Sequence, residues 1–590
     1  FYEDQVYFVQ WSPDGAGLVF GKAKGGDENA QLYWMSPDGS EIKALTGDPK
    51  IRHNFGGWSH DGKKISYASN KRNRDFFDIY VMDVASGREE LVYQQDGSNS
   101  AAAWSFDNRK IIVSHNNEQL SLDNDLYLVD LQTKEATHLT PHEGAAQFGN
   151  VRFSPEGHSI FFGTNDKREF YSLAQMDLAS KRVHILDDTE WDMSSLELSP
   201  SGGALAYVIN RDGYSELYVR RLDTNGKPLI TVIGAKEAPV KLPAKGVVSG
   251  LKFSRDMGGE AAREGKLAFT FNSSRQTSDV WLYDLKTRAL KQVTLSSLAG
   301  IPQASFVEPE LIRYKTFDGR EIPAWYYKPQ INMAGLTPSG GGPVKMSPTP
   351  AQMPAKEFTL LDGGLPVIIN VHGGPEGQAQ PTFNAIFQYF LSRGYAVLAP
   401  NVRGSTGYGS TFTHLDDVRK REDSVKDLAA SVDWLKDKGG ADPKRIAVMG
   451  GSYGGYMTLA AITLYPDLWA AAVNTVGIAN YESFLKNTSG YRRKLREVEY
   501  GSLERDLEFL KAISPLYKVD RIKTPLMVIH GKNDPRVPYT EAEQIVEALR
   551  KRGAPVEYKL FDDEGHGVAK LSNRLIVYPL MADFLDRYMK

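Results

Sequence analysis

Residues 445–457 read RIAVMGGSYGGYM, an apolar run followed at once by a single serine among glycines. The apolar positions 446–449 favour a β-strand, and the residues after Tyr456 favour a helix. A tight turn between the two would force Ser452 into a strained backbone conformation, and glycine at positions 450 and 454 removes the side chains that would collide there. The stretch therefore predicts a strand, a sharp turn that exposes the Ser452 hydroxyl, and a helix.

This arrangement is typical of the nucleophile of an α/β-hydrolase. The amide of Tyr453 would begin the helix, where backbone N–H groups are unpaired and negative charge is favoured, so it can stabilise an oxyanion. A second donor is expected from a glycine-rich loop after an early strand, and residues 372–375 (His-Gly-Gly-Pro) follow the apolar run 367–371. Because the donors of such a loop are backbone amides, we interpret His372 itself as structural.

A serine hydroxyl needs a neighbouring base, and the base needs a third group that holds its tautomer. In this fold the chain order is Ser, then Asp or Glu, then His. Two histidines follow Ser452. His530 ends an apolar run and is interpreted as a packed residue, whereas His566 lies in a glycine-flanked loop after the last predicted strand. With Asp534 at another strand end, the sequence predicts the triad Ser452, Asp534 and His566.

The first half of the chain contains an internal repeat. A motif of the type Trp-Ser-Pro-Asp-Gly starts at positions 11, 58, 104, 153, 198 and 253, and each copy is followed by two short strand patterns. A repeat of about 40 to 50 residues is typical of four-stranded propeller blades. We predict an all-β propeller of six or seven blades over residues 1–302, the seventh being completed by residues that precede Phe1. The repeated turn residues are interpreted as structural.

The second half alternates strand and helix patterns, which predicts a mostly parallel, doubly wound sheet over residues 303–590. Strands are expected at 367–371, 395–399, 446–449, 470–474, 526–530 and 556–561, and helices at 424–438 and 540–552, among others. Residues 331–364 are rich in Pro, Gly, Ser and Met and are predicted to form a flexible insertion. The mixed charges of residues 416–427 are interpreted as a solvated helix face.

Composition narrows the class of protein. The 590 residues are 41% hydrophobic with a net charge of −3, so we expect no nucleic acid and no membrane as partner. The chain has no cysteine, which excludes disulfides, thiolate metal sites and a cysteine nucleophile. It begins at Phe1 rather than Met, so we expect that a leader or an N-terminal segment has been removed or that the chain has been trimmed. The compartment therefore stays open between the cytoplasm and the periplasm or exterior.

With these pieces the chain resembles the prolyl oligopeptidase family of serine peptidases, and most closely its acylaminoacyl-peptidase branch. The motifs that carry the resemblance lie at 372–375, 401–409, 450–456, 534–538 and 563–567. The resemblance implies a serine peptidase that acts on short peptides through an acyl-enzyme, without a cofactor, and whose propeller limits substrate size. It also implies that the Gly374 amide joins that of Tyr453 in the oxyanion hole, and that Arg536 binds a substrate backbone carbonyl. A salt bridge is the alternative for Arg536.

The acyl pocket is expected from the loop after the strand at 470–474, with Val476, Ile478 and Tyr481 as candidates and core packing as the alternative. A dipeptidyl-peptidase is a second interpretation, for which the adjacent Glu89 and Glu90 are the acidic candidates that would hold a free amino terminus. A general esterase is a third. A propeller binding module with an inactive hydrolase is a rival of another class, and a homo-oligomer is left open.

Overall fold

The computed structural model describes residues 4–222, 238–254, 265–330 and 364–590. The N-terminal half of the described chain is a β-propeller of six antiparallel blades, as the repeat predicts. The predicted insertion lies outside the described residues except for Gly364. No helix in the described ranges is long and apolar enough to cross a membrane.

Each blade is a meander whose strands pair in chain order. The first strands of successive blades contact one another from the second blade to the sixth, so these strands line the propeller axis. The strands are β1–β4 (Val6–Trp11, Leu18–Lys22, Gln31–Met35, Ile42–Ala44), β5–β8 (His53–Trp58, Lys64–Asn73, Phe76–Asp83, Glu89–Tyr93), β9–β12 (Asn99–Trp104, Lys110–Asn116, Asn124–Asp130, Ala136–His138), β13–β16 (Phe148–Phe153, Ser159–Thr164, Ser172–Asp177, Val183–Asp187), β17–β19 (Met193–Leu198, Ala204–Arg211, Tyr214–Arg221) and β20–β23 (Val247–Phe253, Lys266–Ser273, Gln276–Asp284, Leu290–Gln292).

The repeated motif forms the turn between the first and second strand of a blade. In the second copy Ser59 Oγ donates to Asp61 Oδ1 at 2.6 Å, and Gly62 has φ +73°. The same bond joins Ser105 to Asp107 in the third copy. Serine and aspartate therefore close the turn with their side chains, while glycine supplies the positive φ that the turn requires.

The C-terminal domain is built on one eight-stranded sheet. Its strands are β24 (Glu310–Lys315), β25 (Glu321–Tyr327), β26 (Leu365–Val371), β27 (Ala396–Pro400), β28 (Ala441–Gly451), β29 (Ala471–Thr475), β30 (Leu526–Gly531) and β31 (Val556–Phe561), in the order β24-β25-β27-β26-β28-β29-β30-β31. The hairpin of β24 and β25 pairs antiparallel, and the remaining strands are parallel to one another. This confirms the predicted mostly parallel sheet.

Helices cover both faces of the sheet. They are α1 (Ala385–Ser392), α2 (Ser410–Thr413), α3 (Arg421–Trp434), α4 (Tyr453–Leu464), α5 (Tyr481–Asn487), α6 (Gly490–Tyr500), α7 (Leu507–Ile513), α8 (Thr540–Lys551) and α9 (Leu571–Met589). The buried apolar residues of α1 and α9 form one core, and those of α3, α4, α5, α7 and α8 form the other. Two apolar faces on one sheet explain why its central strands read as continuous apolar runs.

Strand β28 is longer than its apolar run, which covers only 446–449. It begins at Ala441, whose register partner is Leu365 of β26. Asp442 and Arg445 lie in this first part and form an ion pair at 2.8 Å. Because the start of the strand is polar, a prediction based on hydrophobicity does not include it.

The interpretation of residues 416–427 as a solvated face is wrong. Asp416, Arg421 and Asp427 are fully buried. The guanidinium of Arg421 lies between Asp416 and Glu499 and pairs with both, and Asp427 accepts two hydrogen bonds at 2.8 Å from Arg403. Two of the partners, Arg403 and Glu499, lie outside the segment, so the local pattern resembles that of an exposed helix.

We expect Arg421→Met to destabilise the C-terminal domain by about 3 to 5 kcal/mol, because it leaves two buried carboxylates without their cation. The exposed neighbour Lys420 supplies the control, since Lys420→Met should change stability by no more than about 0.5 kcal/mol. Denaturant unfolding followed by tryptophan fluorescence measures both. Equal midpoints for the two variants would contradict the assigned pairing.

Candidate active site

Ser452 lies at the turn between β28 and α4 with φ +59° and ψ −118°, a conformation that residues with side chains rarely adopt. The turn is held by close backbone approach. A Cβ on Gly450 would lie 2.3 Å from the carbonyl oxygen of Gly454, and a Cβ on Gly454 would lie 2.2 Å from that of Val371. The Ser452 amide donates to Thr475 O at 3.0 Å. Only glycine therefore fits at positions 450 and 454. The turn places the Ser452 side chain at the carboxyl end of β28.

Asp534 and His566 are in contact. Nδ1 of His566 lies 2.7 Å from Oδ2 of Asp534, while Oδ1 accepts from the amides of Arg536 and Val537 at 2.8 and 3.0 Å. Burial alone would raise the pKa of the Asp534 carboxyl, but hydrogen bonds from His530 and His566 hold it well below its usual range. An ionised acid fixes the proton of His566 on Nδ1 and leaves Nε2 as a base.

His530 occupies a different position from His566. It is fully buried, with Nε2 2.9 Å from Val537 O and 3.4 Å from Asp534 Oδ2. It therefore packs behind the acid and supports the loop that carries Asp534.

Ser452, Asp534 and His566 follow β28, β30 and β31, whose carboxyl ends lie at one edge of the sheet. Within the part of the chain that the structure describes, the Ser452 hydroxyl makes no hydrogen bond. Catalytic hydrogen bonds of this kind often shorten only when substrate binds. The fold brings the three side chains to one edge, with the acid and base already joined.

The loop at 372–375 lies beside the serine, since a Cβ on Gly373 would be 3.5 Å from Ser452 Cβ. Two contacts from α6 hold the loop: Tyr500 donates its hydroxyl to Gly374 O at 3.2 Å, and Arg496 pairs with both carboxylate oxygens of Glu376 at 3.0 and 3.1 Å. The Tyr453 amide opens α4 next to the serine. Both predicted donors are therefore on backbone that flanks Ser452.

His372 is bound at both ring nitrogens. Nε2 lies 2.9 Å from Ser405 Oγ and Nδ1 lies 2.8 Å from Gly373 O. Burial lowers the pKa of this imidazole. These contacts fit the structural role expected of the residue.

Arg536 forms a salt bridge rather than standing alone. Its Nε donates to Glu28 Oε1 at 2.6 Å, and Glu28 also pairs with Arg52 at 2.8 Å. Burial would raise the pKa of Glu28, but Arg536 and Arg52 hold it below its ordinary value. Glu28, Arg536 and His566 line one cavity of about 740 Å³ between the first blade and the C-terminal domain. Arg536 thus forms the salt bridge that was the alternative interpretation. Because it also lines the cavity of His566, its binding of a substrate carbonyl stays a prediction.

The acyl-pocket candidates lie after β29 as expected. Val476 has φ +46° and donates its amide to Ile529 O at 2.9 Å. Ile478 and Tyr481 are buried in the core, where the Tyr481 ring lies 4.9 Å from that of Tyr456. All three side chains are almost closed to solvent. Their role in substrate binding stays a prediction.

Sequence reasoning missed the contribution of the first blade. A Cβ on Gly565 would lie 2.0 Å from Gly26 O, and a Cβ on Gly531 would lie 2.2 Å from Gly565 O. The loop that carries His566 is therefore packed between Gly26 of the propeller and Gly531 at the end of β30. The glycine pair at 25–26 reads as an ordinary hairpin turn, so no local signal marks this contact.

One group of carboxylates has the spacing of a metal site within the described ranges: Asp416, Asp417 and Glu499. The Arg421 guanidinium already pairs with Asp416 and with Glu499. We therefore assign the group to charge pairing.

Comparison with known proteins agrees with this architecture. Residues 381–590 match the prolyl oligopeptidase family and residues 54–168 match the TolB β-propeller domain. The chain is 27% identical to dipeptidyl aminopeptidase BIII of Pseudoxanthomonas mexicana, over 98% of this chain and 79% of that protein.

Two solved structures share the fold over nearly all of the chain. A puromycin-hydrolyzing peptidase of Mycobacterium tuberculosis superposes with a TM-score of 0.80 at 19% identity, covering 99% of this chain and 86% of the other. The acylaminoacyl peptidase of Pyrococcus horikoshii superposes with a TM-score of 0.70 at 20% identity, covering 99% and 88%. The family match over residues 381–590 assigns the C-terminal domain to the prolyl oligopeptidase family, and the chain is a serine-type peptidase.

Proposed function

We propose that Ser452, His566 and Asp534 hydrolyse short peptides through an acyl-enzyme. His566 Nε2 takes the hydroxyl proton as Ser452 Oγ attacks the carbonyl carbon, and the Tyr453 and Gly374 amides hold the resulting oxyanion. His566 then gives the proton to the leaving amine, and water releases the acyl group by the same steps. The observation that carries this proposal is the 2.7 Å contact between His566 and the ionised Asp534.

The substrates are short peptides, in the manner of acylaminoacyl peptidases and oligopeptidases. The first blade covers the histidine loop through Gly26 and contacts Arg536 through Glu28, so a folded protein has no room to approach that side of the site. The propeller acts as a size filter in this proposal.

A blocked amino end is accepted because the site offers little to hold a free one. Glu89 and Glu90 lie on β8, the last strand of the second blade, where they pair with Lys71 and Lys134. Glu28 lies at the site but is shared by two arginines. A substrate ammonium would therefore have to compete with guanidinium groups for its carboxylate.

A dipeptidyl-peptidase is the second candidate. One observation favours it: Glu28 is a propeller carboxylate that lines the same cavity as His566. The name of the relative that matches 98% of this chain, a dipeptidyl aminopeptidase, supports the same interpretation. In this case Glu28 would exchange a guanidinium for the amino terminus of the substrate.

We expect Ser452→Ala to abolish peptide hydrolysis and Asp534→Asn to lower kcat by about 10⁴-fold with little change in KM, because the amide no longer holds the imidazole in the required tautomer. Initial rates on a chromogenic peptide measure both. The control is Asp562→Asn, an exposed aspartate on the neighbouring loop whose side chain is 81% accessible. Labelling of Ser452 by a fluorophosphonate tests the nucleophile directly, and an unlabelled wild type would favour the reading as an inactive hydrolase.

A peptide series with the same short sequence, once acetylated and once with a free amino terminus, separates the two candidate functions. We expect the wild type to have the higher kcat/KM for the acetylated member. Preference for the free member, with release of dipeptides and loss of that preference in Glu28→Gln, would replace the first candidate with the second.

A further inference from the structure

Helix α6 connects the two loops that flank the candidate triad. At its start, Thr488 Oγ1 donates to Arg536 O at 2.7 Å and Ser489 Oγ donates to Pro535 O at 2.8 Å, which attaches it to the loop of Asp534. At its other end, Arg496 and Tyr500 hold the loop at 374–376. One face of α6 therefore runs from the loop that carries Asp534, here called the acid loop, to the loop at 372–376, here called the oxyanion loop.

Arg492 lies on that face. Residues four apart on a helix are neighbours on one side, so Arg492, Arg496 and Tyr500 form a row. Arg496 and Tyr500 already contact the oxyanion loop, and Arg492 is one turn nearer to Arg536. Its position is thus between the two loops that flank the candidate triad, within range of the charges of Arg536 and Arg496.

The Arg492 side chain has no anionic partner among the residues that the structure describes. Its Nε is buried and makes no hydrogen bond there. Burial lowers the pKa of this guanidinium, the positive charges of Arg536 and Arg496 lower it further, and Tyr491 and the carboxylate of Glu28 offset part of this shift. An arginine stays protonated at neutral pH. A buried cation without an ion-pair partner is costly, so an anion placed beside it is stabilised.

The charged groups around Arg492 include more guanidinium groups than carboxylates. Arg496 is paired with Glu376, while Arg52 and Arg536 share the single carboxylate of Glu28. Among these four guanidinium groups, Arg492 is the one without a carboxylate partner in the part of the chain that the structure describes. An anionic group of the substrate would complete the pairing without displacing any of these contacts.

We propose that Arg492, acting with Arg536, binds a carboxylate of the peptide substrate. The inference deepens the proposed function, on which it rests, by assigning a substrate class: short peptides that carry a carboxylate near the cleaved bond. The guanidinium fork suits bidentate carboxylate recognition. The carboxylate is either the C-terminus of a short peptide or the side chain of an aspartate or glutamate, and the arms of the test below distinguish these sources.

The test measures binding in a Ser452→Ala background, so that turnover does not consume the peptide. Two matched pairs of acetylated peptides are titrated by calorimetry: one ends in a free carboxylate or an amide, and the other has Glu or Gln beside the cleaved bond. We expect Arg492→Gln to weaken binding of the carboxylate member of at least one pair by about 10- to 100-fold and to change binding of its neutral counterpart by less than about threefold. The effect should shrink as salt is raised.

Two further variants keep the result interpretable. Arg493→Gln removes the adjacent guanidinium, which is 40% exposed and pairs with Glu497 at 3.3 Å, and it should leave both pairs unchanged. Arg492→Lys keeps the charge but loses the fork, so it should retain part of the preference. Thermal unfolding of all variants checks that the fold is intact.

A loss confined to the acid–amide pair identifies the C-terminal carboxylate, and a loss confined to the Glu–Gln pair identifies the side chain. Equal affinity of the protein with intact Arg492 for both members of each pair would overturn the inference, as would an undiminished preference in Arg492→Gln. Failure of the proposed function is a separate result, since it would appear as absent peptide turnover by the unlabelled wild type even if Arg492-dependent binding is present.

Discussion

The turn at Ser452 depends on three stretches of backbone that meet without side chains between them. The end of β26, the end of β28 and the start of α4 approach so closely that a single Cβ on Gly450 or Gly454 would collide with a carbonyl oxygen. A strained residue of this kind costs on the order of 1 to 3 kcal/mol, which the surrounding parallel strands must offset. The same approach sets the loop after β26 beside the nucleophile and directs the first amide of α4 toward it. One packing constraint therefore positions the serine and both candidate oxyanion donors.

The sequence was informative wherever local pattern and chain order suffice. A parallel sheet places the carboxyl ends of its strands at one edge, so the loops of Asp534 and His566, which follow the adjacent strands β30 and β31, had to be neighbours. Their hydrogen bond agrees with that expectation. The blades were equally predictable from the sequence, because each copy of the repeat closes its own turn with its own serine and aspartate.

Contacts between distant parts of the chain could not be predicted. Glu28 and Arg536 are 508 residues apart, and neither neighbourhood indicates the other. The charged residues 416–427 were misread for the same reason, since the partners that bury them, Arg403 and Glu499, lie outside that segment. Glu499 also accepts a hydrogen bond from Ser121 of the propeller at 2.8 Å, and the Tyr453 hydroxyl donates to Asp416 at 3.0 Å. A chain of paired charges thus runs from the propeller to the residue that follows the nucleophile.

The propeller therefore contributes to the electrostatics of the site as well as covering it. Arg536 and Arg52 keep the Glu28 carboxyl ionised, so its negative charge is already distributed between two guanidinium groups. An incoming ammonium would have to break one of these pairs, whereas an incoming carboxylate would meet Arg492 and the exposed part of Arg536 and would break none. The two proposals about the substrate follow from this single imbalance of charge. One is an amino end that needs no positive charge, and the other is a carboxylate near the cleaved bond. A substrate that satisfies both would bind without rearranging the interface between the domains.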